Sequence, residues 1–442
     1  MIIVGNGVVV TRNKKNTLIK DGAIAIDNNR IIAVGGTENI KNTYRGSEFI
    51  DAKGNLIMPG LINTHHHIYS AFARGLNLDN KPAKNFVDIL ENLWWQIDKK
   101  LTLEDIKYSG YTTLIDCVKN GVTTVFDHHA SPYAVESSLF TLADVAKEIG
   151  IRGSFCYETS DRDGEAIADA GIKENIDFIK YVSKDNSNMV GAMFGLHAQF
   201  TLSDKTLEKC AREMESLDAG YHVHTAEGIE DLYACLKEHG KRVVERLMDF
   251  NILGDKTLSV HNIHINSREM DILKETKTNV INNPESNMGN AVGCAPVIEM
   301  IKRGINVGLG TDGYTSDMFE SMKVCNIIHK HNLCDSNVAW DEVPKMFFEN
   351  NRDIASRHFK TKLGVLEEGA TADVIVVEYD SLTPLNNSNI NSHLLFGVNG
   401  KNTLTTIING KVIMKDRILL NLDEKEIFKK SREVSGKLWS RF

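Results

Sequence analysis

A chain of 442 residues is long enough for two or three domains, or for one large barrel with additions. Its formal net charge of -8 comes from acidic and basic residues interspersed along the chain, which leaves no basic stripe for a phosphate backbone and excludes nucleic acid as a partner. No apolar run approaches the ~18 residues of a membrane span, and MIIVGNGVVVTRNKKNTLIKDG lacks a charged leader followed by an apolar core, so a cytoplasmic protein with no membrane partner is expected.

The first 50 residues read as short strands broken by turns, MIIVGNGVVVT, AIAID and IIAVGG, with β-branched residues and little helical periodicity. From Ile57 the texture changes. Apolar strand-like runs alternate with amphipathic helical segments such as DKTLEKCAREMESLD. Counting LIMPGLINTHHH first, the strand candidates continue with GVTTVFDH, GIRGSFCYE, VGAMFGLHA, AGYHVHTAE, LSVHNIH, NVINNPESN and NVGLGTDG. Eight strands with helices between them match an α/β fold of the (β/α)8 TIM-like barrel type, and no GxGxxG follows the first strand to favour a dinucleotide fold.

After about Leu363 the β texture returns in ADVIVVEYD and TLTTIINGKVIMKD, which predicts one small β-sandwich built from both ends of the chain and split by the barrel. The expected divisions are residues 1–56 and 363–422 for the sandwich and 57–362 for the barrel. Residues 423–442 have the three-to-four spacing of a terminal amphipathic helix. The seven cysteines are scattered without a CxxC pair and read as buried free thiols.

Polar residues cluster at the C-terminal ends of the strand runs, where a parallel barrel assembles its active site. Three histidines stand together in NTHHHIYS, and strand alternation puts His65 and His67 on one face and His66 on the other, so the outer pair can grip one metal ion. In YHVHTAE, His224 supplies a third nitrogen at a strand end, with His222 one layer deeper as a core residue and Glu227 beyond the strand. LSVHNIH adds His261, and GTDG adds Asp312 at a sharp exit that glycine permits. Imidazoles with one carboxylate and no thiolate suit Zn²⁺, Fe²⁺ or Mn²⁺, and Glu227 and Asp312 are both available as proton carriers.

Together PGLINTHHH, GVTTVFD, LHAQFTLSDKTL, HTAE, VHNIH, NNPESNMGNAVGCAPV, GLGTDG, GVLEEGATADVIVV and TIINGKVI resemble the amidohydrolase superfamily, almost end to end. The resemblance is to its chlorohydrolase and aminohydrolase branch, and within that branch to the SsnA group of aminohydrolases. It implies one divalent metal ion, zinc before iron or manganese, held by His65, His67, His224 and Asp312. Glu227 then shuttles protons, His261 polarises water or substrate, and Asp312 also serves as base.

The implied reaction is attack of a metal-bound hydroxide on a ring carbon of a small heterocycle such as a purine, with protonation of the ring nitrogen and loss of ammonia or an amine. Relatives with two metals carry a lysine at the end of the fourth strand, and VGAMFGLHA has none, which implies a single ion. The resemblance also implies that His197 and Asn287 line the substrate pocket, that Trp94 with Trp95 stacks on a flat substrate, and that the protein forms a homo-oligomer, a dimer. His128 and His129 are expected behind the site rather than on the substrate. Two departures, the histidine in the middle of HHH and NNPESN in place of a cysteine or serine before the proline, bear on the choice of substrate. The same site can also open a cyclic amide, which is the alternative reaction; a catalytically silent scaffold is disfavoured by the complete set of site residues.

Overall fold

The computed structural model of the protein describes residues 1–78 and 82–442. Its opening strands are β1 (Ile2–Val10), β2 (Leu18–Asp27), β3 (Arg30–Gly36), β4 (Glu48–Asp51) and β5 (Leu56–Pro59). β2 and β3 are joined at Asn28, whose φ of 51° is a left-handed turn conformation that asparagine tolerates. LIMPGLINTHHH, expected as one strand, is two: β5 pairs with β1, and after Gly60 the chain enters β6 (Leu61–His66) in a different sheet. Glycine is required at that crossing, because a Cβ on Gly60 would lie 2.3 Å from the Thr123 side chain.

The remaining strand candidates are present as β7 (Val122–His129), β8 (Arg152–Tyr157), β9 (Val190–Ala192), β10 (Phe194–Ala198), β11 (Tyr221–Thr225), β12 (Leu258–His261), β13 (Asn279–Asn282) and β14 (Val307–Leu309), with VGAMFGLHA, expected as one strand, divided into β9 and β10 in different sheets. They form two parallel sheets, β6 to β9 and β10 to β14, in sequence order. Helices such as Leu103–Lys119, opened by a Thr102–Asp105 capping box, and Asp204–Met214, capped by Ser203, run between them. These strands are buried on both faces, as parallel strands covered by helices must be.

The two parallel sheets meet at two seams. On one, Thr311 and Asp312 N–H donate to His65 O at 3.1 and 3.0 Å. On the other, Thr159 N–H donates to Gly195 O at 3.1 Å and His197 N–H donates to Thr159 O at 3.0 Å.

Four late strands, β15 (Val374–Val377), β16 (Thr403–Ile408), β17 (Lys411–Lys415) and β18 (Ile418–Leu419), return to the N-terminal ones. β15 pairs antiparallel with β5, so the two ends of the chain share one sheet, nine-stranded among the described residues. The strands from both ends are joined by hydrogen bonds into one sheet, with Val4, Ile24, Ile57, Val374 and Ile407 in one apolar cluster. A buried ion pair from Arg152 on β8 to Asp373 fastens this sheet to the parallel strands. The terminal helix, Glu424–Trp439, packs on Leu103–Lys119, and Trp439 donates to Phe72 O at 2.8 Å. No helix among the described residues is long and apolar enough to cross a membrane.

Candidate metal and active site

The parallel strands carry their polar residues to one rim. β6 ends in His65 and His66 and is followed by His67; β11 bears His222 and His224, with Glu227 just beyond; β12 ends at His261; and Asp312 follows β14. Four non-glycine residues at these exits adopt left-handed backbone, with φ of 48° at Ala226, 72° at His261, 54° at Asn262 and 56° at Asp312. Each such residue carries strain of about 1–3 kcal/mol, which persists where the surroundings over-determine the turn. Beneath Asp312, Gly310 allows the backbone to pass, since a Cβ there would lie 2.4 Å from Asn283 Oδ1 and 2.9 Å from His65 Cβ.

Hydrogen-bond partners fix how the imidazoles face the rim. His67 Nδ1 donates to the His128 carbonyl at 2.6 Å, an atom that only accepts, so the neutral ring presents a bare Nε2. His261 Nδ1 donates to Asn287 Oδ1 at 2.8 Å and likewise presents Nε2. His65 Nδ1 lies 2.8 Å from His222 Nε2, and the Nε2 atoms of His65 and His261 are buried without a hydrogen-bond partner. His67 and His224 bring their Nε2 atoms to 3.2 Å of each other.

Asp312 lies in the same space, with Oδ1 3.5 Å from His67 Nε2 and Oδ2 3.9 Å from His65 Nε2 and 3.6 Å from His261 Nε2. Donor atoms of His65, His67 and His224 fall within 4.8 Å of one another, as do those of His65, His261 and Asp312. His65 is common to both sets. Orphaned buried nitrogens gathered around a carboxylate fit a divalent metal ion of the zinc type, which would satisfy them together.

Burial lowers the basicity of these rings. His65, His222 and His224 fall well below the ordinary histidine value, and His67 and His261 fall below it despite the opposing charge of Asp312. The shift favours the neutral ring, the form that ligates metal. Burial also works against the charge of Asp312, but His67, His261, Ser286 and the Gly313 N–H outweigh it and hold the carboxyl below the usual range. Glu227 moves the other way, well above its ordinary value, because it is buried and faces Asp312. Its Oε2 sits 3.4 Å from His261 Nε2, and Asn290 Nδ2 donates to its Oε1 at 3.4 Å. A carboxyl shifted down beside one shifted up is the arrangement of a base paired with an acid.

A cavity opens onto these groups, walled by Tyr69, Phe86, Trp94 and Trp95 on its aromatic side and by Glu158, His197, Ser286, Asn290 and Tyr314 elsewhere. Trp94 and His197 are thus among the residues that line the cavity. Asn287 is not: it is buried behind His261 and orients that ring instead of lining the cavity, because the turn into Pro284–Gly289 points it at the strand end. His66 faces the opposite side of β6, with Nε2 3.4 Å from Ser316 Oγ. His128 and His129 are buried, His128 Nε2 lying 3.1 Å from the carbonyls of both Leu196 and His222 and His129 Nε2 3.0 Å from Ser131 Oγ.

Sequence reasoning missed Glu158, Ser286 and Asn290. Glu158 follows β8, and its carboxylate touches His128 Nδ1 at 3.2 Å. A lone acid at a strand end, in SFCYE, was its only signal. Ser286 and Asn290 are four residues apart across one helical turn, where Asn290 Nδ2 donates to Ser286 Oγ at 3.3 Å. That spacing was legible in PESNMGN.

The chain matches the model of the Amidohydrolase family over residues 56–413. It is 31% identical to a 5′-deoxyadenosine deaminase of Methanosarcina barkeri over 100% of this chain and 99% of that protein. It is 32% identical to a 5-methylthioadenosine/S-adenosylhomocysteine deaminase of Thermococcus onnurineus over 95% of each. In fold it is similar to a zinc-bound adenosine deaminase from Xanthomonas campestris, with a TM-score of 0.88 at 21% identity over 99% of this chain and 98% of that one. With the family model spanning most of its length and relatives aligned end to end, the chain belongs to the amidohydrolase family, hydrolases of carbon–nitrogen bonds.

Proposed function

We propose that this chain is a metal-dependent aminohydrolase that removes an amine from a nitrogen heterocycle of the purine class, on a closed (β/α)8 barrel. The observation that carries this reading is the convergence of His67 and His261, each presenting Nε2, on Asp312, with the Glu227 carboxyl 3.4 Å from His261 Nε2. Barrel closure is supported by the hydrogen bonds at both seams of the parallel sheets. Deaminase relatives aligned over nearly all of the chain support the substrate class.

In this reading His65, His67, His224 and Asp312 hold one divalent ion, zinc ahead of iron or manganese. The ion supplies a Lewis acid that makes water nucleophilic near neutral pH. Asp312 orients that water and accepts its proton. His261, anchored through Nδ1 on Asn287, steadies the water through Nε2. Glu227 gives its proton to the ring nitrogen as oxygen bonds to the adjacent carbon, and the amine leaves with a proton as the carbon–nitrogen bond breaks. Trp94 and Trp95 hold the flat ring, and His197 meets its edge. The seven unpaired cysteines support a reducing, cytoplasmic setting, and a homodimer completes the reading.

Zinc-loaded protein should release ammonia from at least one of 5′-deoxyadenosine, 5′-methylthioadenosine, S-adenosylhomocysteine, adenosine or guanine. Inactivity of fully metallated protein across that panel overturns the reading. Mass spectrometry separates the alternative reaction, because ring opening adds a water whereas deamination exchanges NH for O.

A further inference from the structure

Glu158 is the one carboxylate of the cavity wall, among the described residues, that the proposed reaction leaves without a part. Its backbone is fixed by a 2.7 Å hydrogen bond from its own N–H to His129 O, and its side chain is almost wholly buried. Its two oxygens have different surroundings. Oε2 lies 3.2 Å from His128 Nδ1. His128 Nε2 is already directed at the Leu196 and His222 carbonyls, and His128 Nδ1 has no hydrogen-bond partner, so this close contact gives Oε2 no hydrogen bond.

Oε1 lies 3.9 Å from His197 Nε2, too far for a hydrogen bond. His197 Nδ1 donates to Thr201 Oγ1 at 2.6 Å, and the Thr201 hydroxyl in turn donates to Ala198 O at 3.0 Å. The Nε2 facing Glu158 is therefore a bare acceptor. Arg162, the nearby cation, pairs with Asp98 and Asp163, while its Nη1 is buried without a hydrogen-bond partner. Glu158 Oε1 and His197 Nε2 thus stand 3.9 Å apart in the wall of an aromatic cavity, with no hydrogen bond between them.

We propose that Glu158, with His197, determines substrate choice by reading a hydrogen-bond donor on the heterocycle, an amino or hydroxyl group, away from the carbon that reacts. This rests on the reading of the cavity as a heterocycle site. A group with two hydrogens can satisfy Glu158 Oε1 and His197 Nε2 together, whereas a substrate that brings a carbonyl oxygen there meets two lone pairs and is rejected. Glu158 is on this view a specificity-determining residue and takes no proton from the reaction.

The test uses two pairs of compounds that differ in donors: 2,6-diaminopurine against adenine for a ring amino group, and adenosine against 2′,3′-dideoxyadenosine for sugar hydroxyls. Binding is followed by quenching of tryptophan fluorescence, and turnover by ammonia release. Wild-type protein should prefer the donor-bearing member of one pair by about 10- to 100-fold, and Glu158→Gln and Glu158→Leu should reduce that preference to about 3-fold or less. The change should fall on KM rather than kcat, with metal content unchanged, a split that a merely structural role would not produce. The pair that discriminates identifies the donor. No preference in either pair, or a preference that survives both substitutions, overturns the proposal. Selective binding without ammonia release from any compound leaves the proposal standing and overturns the deaminase reading.

Discussion

The terminal sheet and the rim of the parallel strands are both shielded from water, yet they fill the space in opposite ways. In the sheet, Val4, Ile24, Ile57 and Val374 are fully buried, their strands are hydrogen-bonded to neighbours on the ladder, and burial contributes directly to stability. At the rim, burial covers His65, His67, His224, Glu227, His261 and Asp312, leaves the Nε2 atoms of His65 and His261 unpartnered, and coincides with four left-handed residues. The rim forgoes stability to hold lone pairs where an ion can use them. It follows that metal should stabilise the protein through the rim alone, by mass action on the folded state.

The largest expected effect comes from removing a rim nitrogen or oxygen. His67→Ala or Asp312→Ala should abolish metal retention and reduce ammonia release to background. His66→Ala, one residue away on the other side of β6, should keep both. Metal analysis of the purified variants checks this, and equal loss from His66→Ala would break the comparison. Glu227→Gln comes next: it should retain metal and fold normally while kcat drops about 10²- to 10⁴-fold, the usual weight of a proton carrier. Near-native turnover would remove Glu227 from the chemistry.

In the terminal sheet the effect should be of the other kind. Ile24→Ala opens a cavity in the apolar cluster and should lower unfolding stability by about 2–5 kcal/mol with metal content and KM unchanged. Denaturant unfolding alongside metal analysis measures both halves of that statement. The smallest effect concerns pH. Burial, with the charges of Glu320 and Asp317, raises the Glu285 carboxyl to about 7, against an ordinary value of 4.5. A carboxyl raised on folding favours the folded state when protonated, so its contribution is complete below about pH 4.5 and is lost as pH rises through about 7. Stability should therefore fall over that interval by at most about 3 kcal/mol, and Glu285→Gln should flatten the slope in a melting series.

Much of the site was legible because its residues lie on strands. The period of two separated His65 and His67 from His66, and strand-end positions identified His224, Glu227, His261 and Asp312, before any contact was known. His222 behaves as the deeper layer that alternation implies, bonded to His65. Contacts across the rim were not legible in the same way. Asn287 reads as a pocket residue by resemblance but supports His261, and Glu158 has no spacing partner in its own strand to draw attention to it. The break at Gly60 was hidden as well, since β5 and β6 are both apolar and nothing local shows that the chain changes sheets there.

By itself the sequence determined the order of elements, the run of parallel strands, the return of the last strands to the first, and the chemical types at the strand ends. Those follow from periodicity and composition, which act over a few residues at a time. Only the tertiary structure decided which nitrogen of His67 and of His261 is bare, which way the Asp312 and Glu227 carboxyls are shifted, and that Glu158 confronts His197 in the cavity wall. Tautomers and ionisation depend on carbonyls, amides and charges supplied by other strands, and burial multiplies the weight of each such contact.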